Sequence, residues 1–150
     1  LKFNRQPLPE SLLMHISRRN VLIEWGDCDP AGIVFYPRYF AWFDASTANH
    51  FASVGLLKPE LIARYGVVGF PMVDTQGKFY TPSKFGDEVT IETTITGFGK
   101  SSFDVHHRLL RGDKLAVEGY EKRVLVKRAD DGDGIKSVQV PEEIRTLFQR

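Results

Sequence analysis

Two aspartates flank the chain's single cysteine in "GDCDP", residues 26–30, directly before the aromatic-rich run "AGIVFYPRYFAWFD". A carboxylate beside the start of a helix has two neighbours that matter chemically. The first N–H groups of a helix have no partner within it, and they carry a partial positive potential. Those N–H groups can bind an oxyanion while the carboxylate attacks a carbonyl or activates water, which is the minimal equipment for acyl transfer. Asp29 is the candidate for that role. The competing reading makes Asp29 only a helix cap or the acceptor of an Asx turn. Asp27 shares the parity of Asp29 if the chain is extended there, as Pro30 favours for the residue before it. Asp27 is read as a loop-holder that accepts backbone hydrogen bonds. Two neighbouring carboxylates disfavour a thiolate at Cys28, which is read as a small space-filler.

Other chemistries find no support. No Gly-x-Ser-x-Gly elbow marks a serine hydrolase, and no glycine-rich phosphate loop or dinucleotide fingerprint is present. His106 and His107 are adjacent in a strand pattern, so they point to opposite faces and cannot chelate one metal together. Each is assigned a structural role. "DDGDG" (130–134) resembles a calcium loop but lacks the later ligands and closing Glu, and reads as a solvated hairpin tip.

The elements that must position Asp29 follow from the periodicity. "HISRRNVLIEW" (15–25) is β-branched enough for a strand, ended by Gly26. "DPAG" is turn chemistry. Tyr36, Phe40, Phe43, Thr47, Phe51 and Val54 then recur at steps of three and four, predicting an α-helix of about five turns. Its other side carries Arg38, Ala41, Ala45, Asn49 and Ala52, small or polar, so a second surface can approach closely. The helix is expected to be covered on most sides, with Gly55 as its stop. "KPELIARYG" predicts a short helix with Pro59 in its first turn. Strands follow in "VVGFPMVDTQGKFY", "DEVTIETTITGF", "SSFDVHHRLLR" and "KLAVEGYEKRVLVKR". Within them Val89, Ile91, Thr93 and Ile95 share a face, as do Phe103, Val105, His107 and Leu109, and Val124 and Val126. Glycines mark the short turns, which make the strands antiparallel neighbours. "PEEIRTLFQR" predicts a closing helix. One long apolar helix and one sheet give an α+β layer pair in which the antiparallel sheet wraps the helix.

Composition bounds the rest. The chain's 150 residues fit one domain, 1–150, with residues 1–14 read as a loose N-terminal arm. Twenty basic residues against nineteen acidic ones leave +1, so no global field recruits nucleic acid or an anionic membrane. No apolar run approaches the roughly 20 residues of a membrane helix, and the opening residues carry no signal-peptide pattern. With one free thiol, the expectation is a cytoplasmic protein.

"GDCDPAGIVFYPRYFAWFDAS" closely resembles the signature of the hot-dog-fold acyl-CoA thioesterases, most of all the 4-hydroxybenzoyl-CoA thioesterase branch that includes the YbgC-type enzymes. The resemblance runs from about Val21 to Gly55 and continues through "GVVGFP" to about Val126. It implies that Asp29 is the nucleophile or general base and that the backbone N–H of Tyr36 holds the thioester oxygen. YbgC-type members often carry His where this chain has Tyr36, so only the backbone role carries over. It further implies that Gly69 and Phe70 of "GVVGFP" line the acyl pocket. Lys100 matches a basic position near the coenzyme A phosphates, flanked by Gly99 and Ser101 where that branch carries further bases. No metal or cofactor beyond the coenzyme A of the substrate is implied. Assembly is implied: a homodimer with the sheets continuous and the site between subunits, two such dimers forming a tetramer. The expected activity is hydrolysis of an aromatic or short-chain acyl-CoA. The alternatives are a non-catalytic acyl-CoA binder and an acyl-thioester hydratase, whose longer Asp and His motif "DPAGIVFYP" does not reproduce.

Overall fold

The computed structural model describes residues 14–149. The arm expected over 1–14 lies outside the described residues except for Met14, which is buried in the core and bridged to Gln149. Strand β1 (Ile16–Leu22) leads into a single 3-10 turn, Trp25–Asp27, and a loop to helix α1 (Pro37–Ala52). Helix α2 (Lys58–Tyr65) ends on Gly66, whose φ of 65° closes the C-terminus in the left-handed conformation glycine tolerates. Strands β2 (Met72–Phe79), β3 (Glu88–Phe98), β4 (Ser102–Arg111) and β5 (Lys114–Val124) complete an antiparallel sheet in the order β1-β3-β4-β5-β2. A hairpin of β6 (Val126–Arg128) and β7 (Ile135–Ser137) precedes helix α3 (Glu142–Leu147), with "DDGDG" at its tip. This is the α+β hot-dog arrangement expected from the sequence.

Alternation turns Val89, Ile91, Thr93 and Ile95 of β3 and Phe103, Val105, His107 and Leu109 of β4 toward α1. Thr93, His107, Gly119 and Gly77 lie in one cross-strand row. That row is the seat of Phe43, which stacks on His107 at 4.8 Å. A Cβ on Gly119 would come within 2.5 Å of the Phe43 ring, so the missing side chain is what lets helix and sheet approach. Burying Phe43 alone contributes roughly 1.5–3 kcal/mol.

Three expectations need correction. The buried face of α1 is Tyr39, Phe43, Ser46, Thr47, His50 and Phe51. Tyr36 sits outside the helix as its N-cap and is 62% exposed, while Phe40 is half-buried. Counting apolar types shifted the stripe because the true face includes Ser46 and His50, each bonded inside: Ser46 donates to the Trp42 carbonyl, and His50 Nδ1 lies 2.6 Å from the Ser17 hydroxyl. The helix is also less covered than expected. One five-stranded sheet screens one side only, and Arg38, Ala41, Asp44 and Ala48 remain exposed. Finally, β5 breaks at Leu125, so Val124 and Val126 do not continue one face; Glu121 and Arg123 take the inward positions instead.

Candidate active site

The loop between the 3-10 turn and α1 is rigid by construction. The Glu24 N–H donates to Asp27 Oδ2 (2.9 Å), and the Phe35 N–H donates to the Asp27 carbonyl (2.9 Å). Arg38 Nε lies 3.8 Å from Asp27 Oδ1. Asp27 therefore ties the start of the loop to its end and to the first turn of α1. Cys28 pairs with Val34 across the loop, and the Asp29 N–H donates to the Ile33 carbonyl (2.8 Å). Gly32, at φ 80°, makes the reversal.

Asp29 occupies the tip of this loop. Its Oδ1 accepts the Ala31 N–H (2.9 Å), an Asx turn, while Oδ2 accepts no hydrogen bond among the described residues. Asp29 does not cap α1; Tyr36 does, without a side-chain bond. Pro37 has no N–H, Arg38 donates to the Phe35 carbonyl and Tyr39 to the Tyr36 carbonyl. Among the described residues the Tyr36 N–H has no acceptor, so it is an open donor at the positive end of a 16-residue helix. One carboxylate oxygen and one backbone donor are thus both available on the same short segment, the pairing that acyl transfer requires.

The other expected residues lie elsewhere on the chain. Tyr36 lines a cavity of about 330 Å³ with Ile33, Tyr39, Phe79 and Tyr80. Gly69 and Phe70 line a separate cavity of about 430 Å³ with Phe51, Pro71, Asp44 and Arg123. Asp29 lines neither. Lys100 is exposed in the β3–β4 turn, its carbonyl accepting the Val140 N–H (2.8 Å), and it makes no ion pair with a described residue. Neither of these two cavities is lined by Asp29 or Lys100 together with Gly69 and Phe70.

Sequence reasoning missed a buried charged network beneath α1. Arg123 Nε donates to Glu121 Oε1 (2.8 Å), Nη2 to Asp44 Oδ1 (2.7 Å) and Nη1 to the Phe70 carbonyl (3.2 Å). The Thr47 hydroxyl donates to Glu121 Oε1 (2.7 Å), and His107 Nε2 lies 3.3 Å from Glu121 Oε2. Burial would raise the Glu121 carboxyl, but hydrogen bonds from His107 and Arg123 more than offset it and pull it down to about 2. Burial holds His107 below its ordinary value, which leaves Arg123 as the cation beside Glu121. Burial also opposes the Arg123 charge, yet Glu121 and Asp44 hold its pKa above the ordinary value. The available signal was the parity of β5: Val117, Gly119, Glu121 and Arg123 alternate inward, although the last two look like surface residues. Among the described residues no three His, Cys, Asp or Glu side chains cluster as metal ligands do, and no helix is long and apolar enough to cross a membrane.

A hot-dog sheet with an available carboxylate just ahead of an open helix N-terminus defines a class, the proteins that handle thioesters on this scaffold. The chain belongs to the Thioesterase-like superfamily, whose profile matches residues 23–148. It is 36% identical over 127 residues to the 4-hydroxybenzoyl-CoA thioesterase of Pseudomonas sp. (strain CBS-3), covering 81% of this chain and 89% of that one. A crystal structure of a 4-hydroxybenzoyl-CoA thioesterase variant complexed with 4-hydroxybenzoyl-CoA superposes with a TM-score of 0.82 at 32% identity, over 89% of this chain and 99% of the other. A gentisyl-coenzyme A thioesterase structure follows at a TM-score of 0.75 and 30% identity, over 88% and 98%.

Proposed function

We propose that this protein is an acyl-CoA thioesterase that hydrolyses an aromatic or short-chain acyl-CoA, similar to 4-hydroxybenzoyl-CoA, to the free acid and coenzyme A. The observation that carries the reading is that Asp29 Oδ2 and the Tyr36 N–H, both on the segment leading into α1, have no hydrogen-bond partner among the described residues, in a chain of this family. Asp29 attacks the thioester carbonyl carbon or takes a proton from the water that does. The Tyr36 N–H and the α1 dipole stabilise the oxyanion, and the carbon–sulfur bond breaks as coenzyme A leaves as a thiolate, which takes its proton from Asp29 in the general-base route and from solvent water in the nucleophilic one. In the nucleophilic route, water then hydrolyses the acyl–Asp29 anhydride and restores the carboxylate. Water and these groups suffice, and no metal or redox cofactor forms part of the proposal.

The site is completed by a second copy of the chain. β2 is an edge strand with Val73 and Phe79 exposed, and an open apolar edge is a template for pairing. Pairing along that edge would extend the sheet, and the exposed Ala41 and Ala48 of α1 offer a close-approach surface beside it. In this homodimer, and in a tetramer of two such dimers, the Asp29 loop of one subunit meets Gly69 and Phe70 of the other. Lys100 reaches the coenzyme A phosphates. The single free thiol and a net charge of +1 support a reducing cytoplasm as the compartment and give no reason to expect nucleic-acid or membrane partners.

The Asx turn at Asp29 favours one other reading, a non-catalytic acyl-CoA binder in which that carboxylate only shapes the loop. Release of coenzyme A thiol from a panel of aromatic, short-chain and long-chain acyl-CoAs separates the two. A thioesterase turns over at least one class, fastest for aromatic or short acyl groups; binding without turnover of any would establish the binder. Sedimentation of the same preparation tests the assembly, and a fully active monomer would refute the shared site.

A further inference from the structure

Arg123 holds two parts of the 430 Å³ cavity wall at once, Asp44 and Phe70, and neither the core nor the acyl-transfer step accounts for it. Its fork of donors ends on Glu121 in its own strand, on Asp44 of α1 and on the Phe70 carbonyl in the segment before β2. Its guanidinium carbon also lies 5.6 Å from the centre of the Phe70 ring, which stacks on Phe51 at 4.6 Å. Asp44, Phe51, Phe70 and Arg123 all line the cavity.

A purely stabilising role fits this arrangement poorly. Apolar side chains of similar volume in place of both Arg123 and Glu121 would pack under α1 without desolvating a charge, and replacing a whole buried pair in this way is often neutral or stabilising. The Arg123 side chain is 5% exposed, yet the partner it reaches out to, Asp44, is 64% exposed, so that arm holds a group on the cavity rim. The inner arm is braced separately by Thr47 and His107 through Glu121, which fixes where the guanidinium plane can lie. A planar fork of this kind addresses three acceptors in set directions, which a lysine ammonium cannot.

We infer that Arg123 is the positioning residue of the acyl pocket: it sets the place of the Phe70 ring and carbonyl and of the Asp44 carboxylate, and through them the discrimination between acyl groups. This rests on the proposed thioesterase function and on the cavity of Gly69 and Phe70 being the acyl pocket. Arg123 touches no reacting atom, so its loss acts on which acyl group is accepted.

The test compares wild type with Arg123→Lys, Arg123→Met, Asp44→Asn and the double variant Arg123→Lys with Asp44→Asn. Steady-state kinetics on benzoyl-, butyryl- and decanoyl-CoA run beside thermal melting. The expected result for Arg123→Met is a fall of about tenfold or more in the kcat/KM ratio of best to worst acyl-CoA, the range expected for altered pocket contacts, carried mainly by KM for the best one. Arg123→Lys keeps the buried charge beside Glu121, so it remains informative if the Met variant fails to fold, and it restores part of the ratio. Because Asp44→Asn releases the same arm, its effect and that of Arg123→Lys should not add. A folded, active Arg123→Lys protein that loses rate equally on all three substrates, or keeps the wild-type ratio, overturns the inference while leaving the thioesterase reading intact. A wild type inactive on every acyl-CoA overturns both.

Discussion

Replacing Asp29 by Asn separates chemistry from loop architecture, because the two roles of this residue use different oxygens. Oδ1 accepts the Ala31 N–H at 2.9 Å, and an Asn side-chain oxygen can accept the same bond. Oδ2 accepts nothing among the described residues, and in the Asn variant an NH₂ group stands there. The Asx turn thus survives while the attacking charge is lost. Unfolding free energy should change by no more than about 0.5 kcal/mol, the range of substitutions that break no interaction. Single-turnover hydrolysis of an acyl-CoA should slow by at least about 100-fold, the lower end of what a positioned general base supplies, or roughly 2.7 kcal/mol of barrier. Substrate should still bind. Asp27→Asn is the internal control: its oxygens receive the Glu24 N–H and face Arg38, so its loss should lower the melting temperature more than the turnover of the folded fraction. Single-turnover rates, equilibrium binding of the acyl-CoA and thermal melts of both variants complete the measurement. Near-normal turnover by the Asp29 variant would refute the mechanism.

Lys100→Ala should raise KM for acyl-CoA more than it lowers kcat, since removing a phosphate contact made equally in ground and transition states weakens uniform binding; steady-state kinetics with an unchanged KM would discard this residue as a coenzyme A contact. His50 is fully buried, and burial, followed by the nearby imidazoles of His15 and His107, lowers its pKa to about 3 from 6.5. Between those values the unfolded chain binds a proton that the folded one does not, so stability is complete above about pH 6.5 and falls by about 1.4 kcal/mol per pH unit as the pH drops toward 3. His50→Phe should flatten that part of the stability–pH curve in denaturant titrations, and an unaltered slope would refute the assignment. Gly119→Ala places a methyl 2.5 Å from the Phe43 ring and should cost about 1–3 kcal/mol by overpacking, read as a lower midpoint in urea.

Local chemistry made much of this protein legible before any coordinates. "DPAG" read as a turn, and the alternation in β3 and β4 put His107 on the face shared with Phe103, Val105 and Leu109 and His106 on the other. These features depend on residues a few positions apart, where backbone sterics and side-chain parity decide the outcome. The motif around Asp29 was legible for the same reason, since carboxylate, turn and helix start are contiguous. Tertiary structure decided three other things. It chose which stripe of α1 meets the sheet, because His50 and Ser46 become acceptable core residues only when Ser17 and the Trp42 carbonyl arrive to bond them. It put Glu121 and Arg123 inside, because a buried ion pair is tolerable only where Thr47, His107 and Asp44 converge from a helix and a neighbouring strand. And among the described residues it left the Tyr36 N–H without an acceptor while engaging just one oxygen of Asp29, a division settled by how the loop closes on itself. Residue type and spacing determine which groups lie together on the segment before α1; long-range packing determines which of their atoms are already engaged.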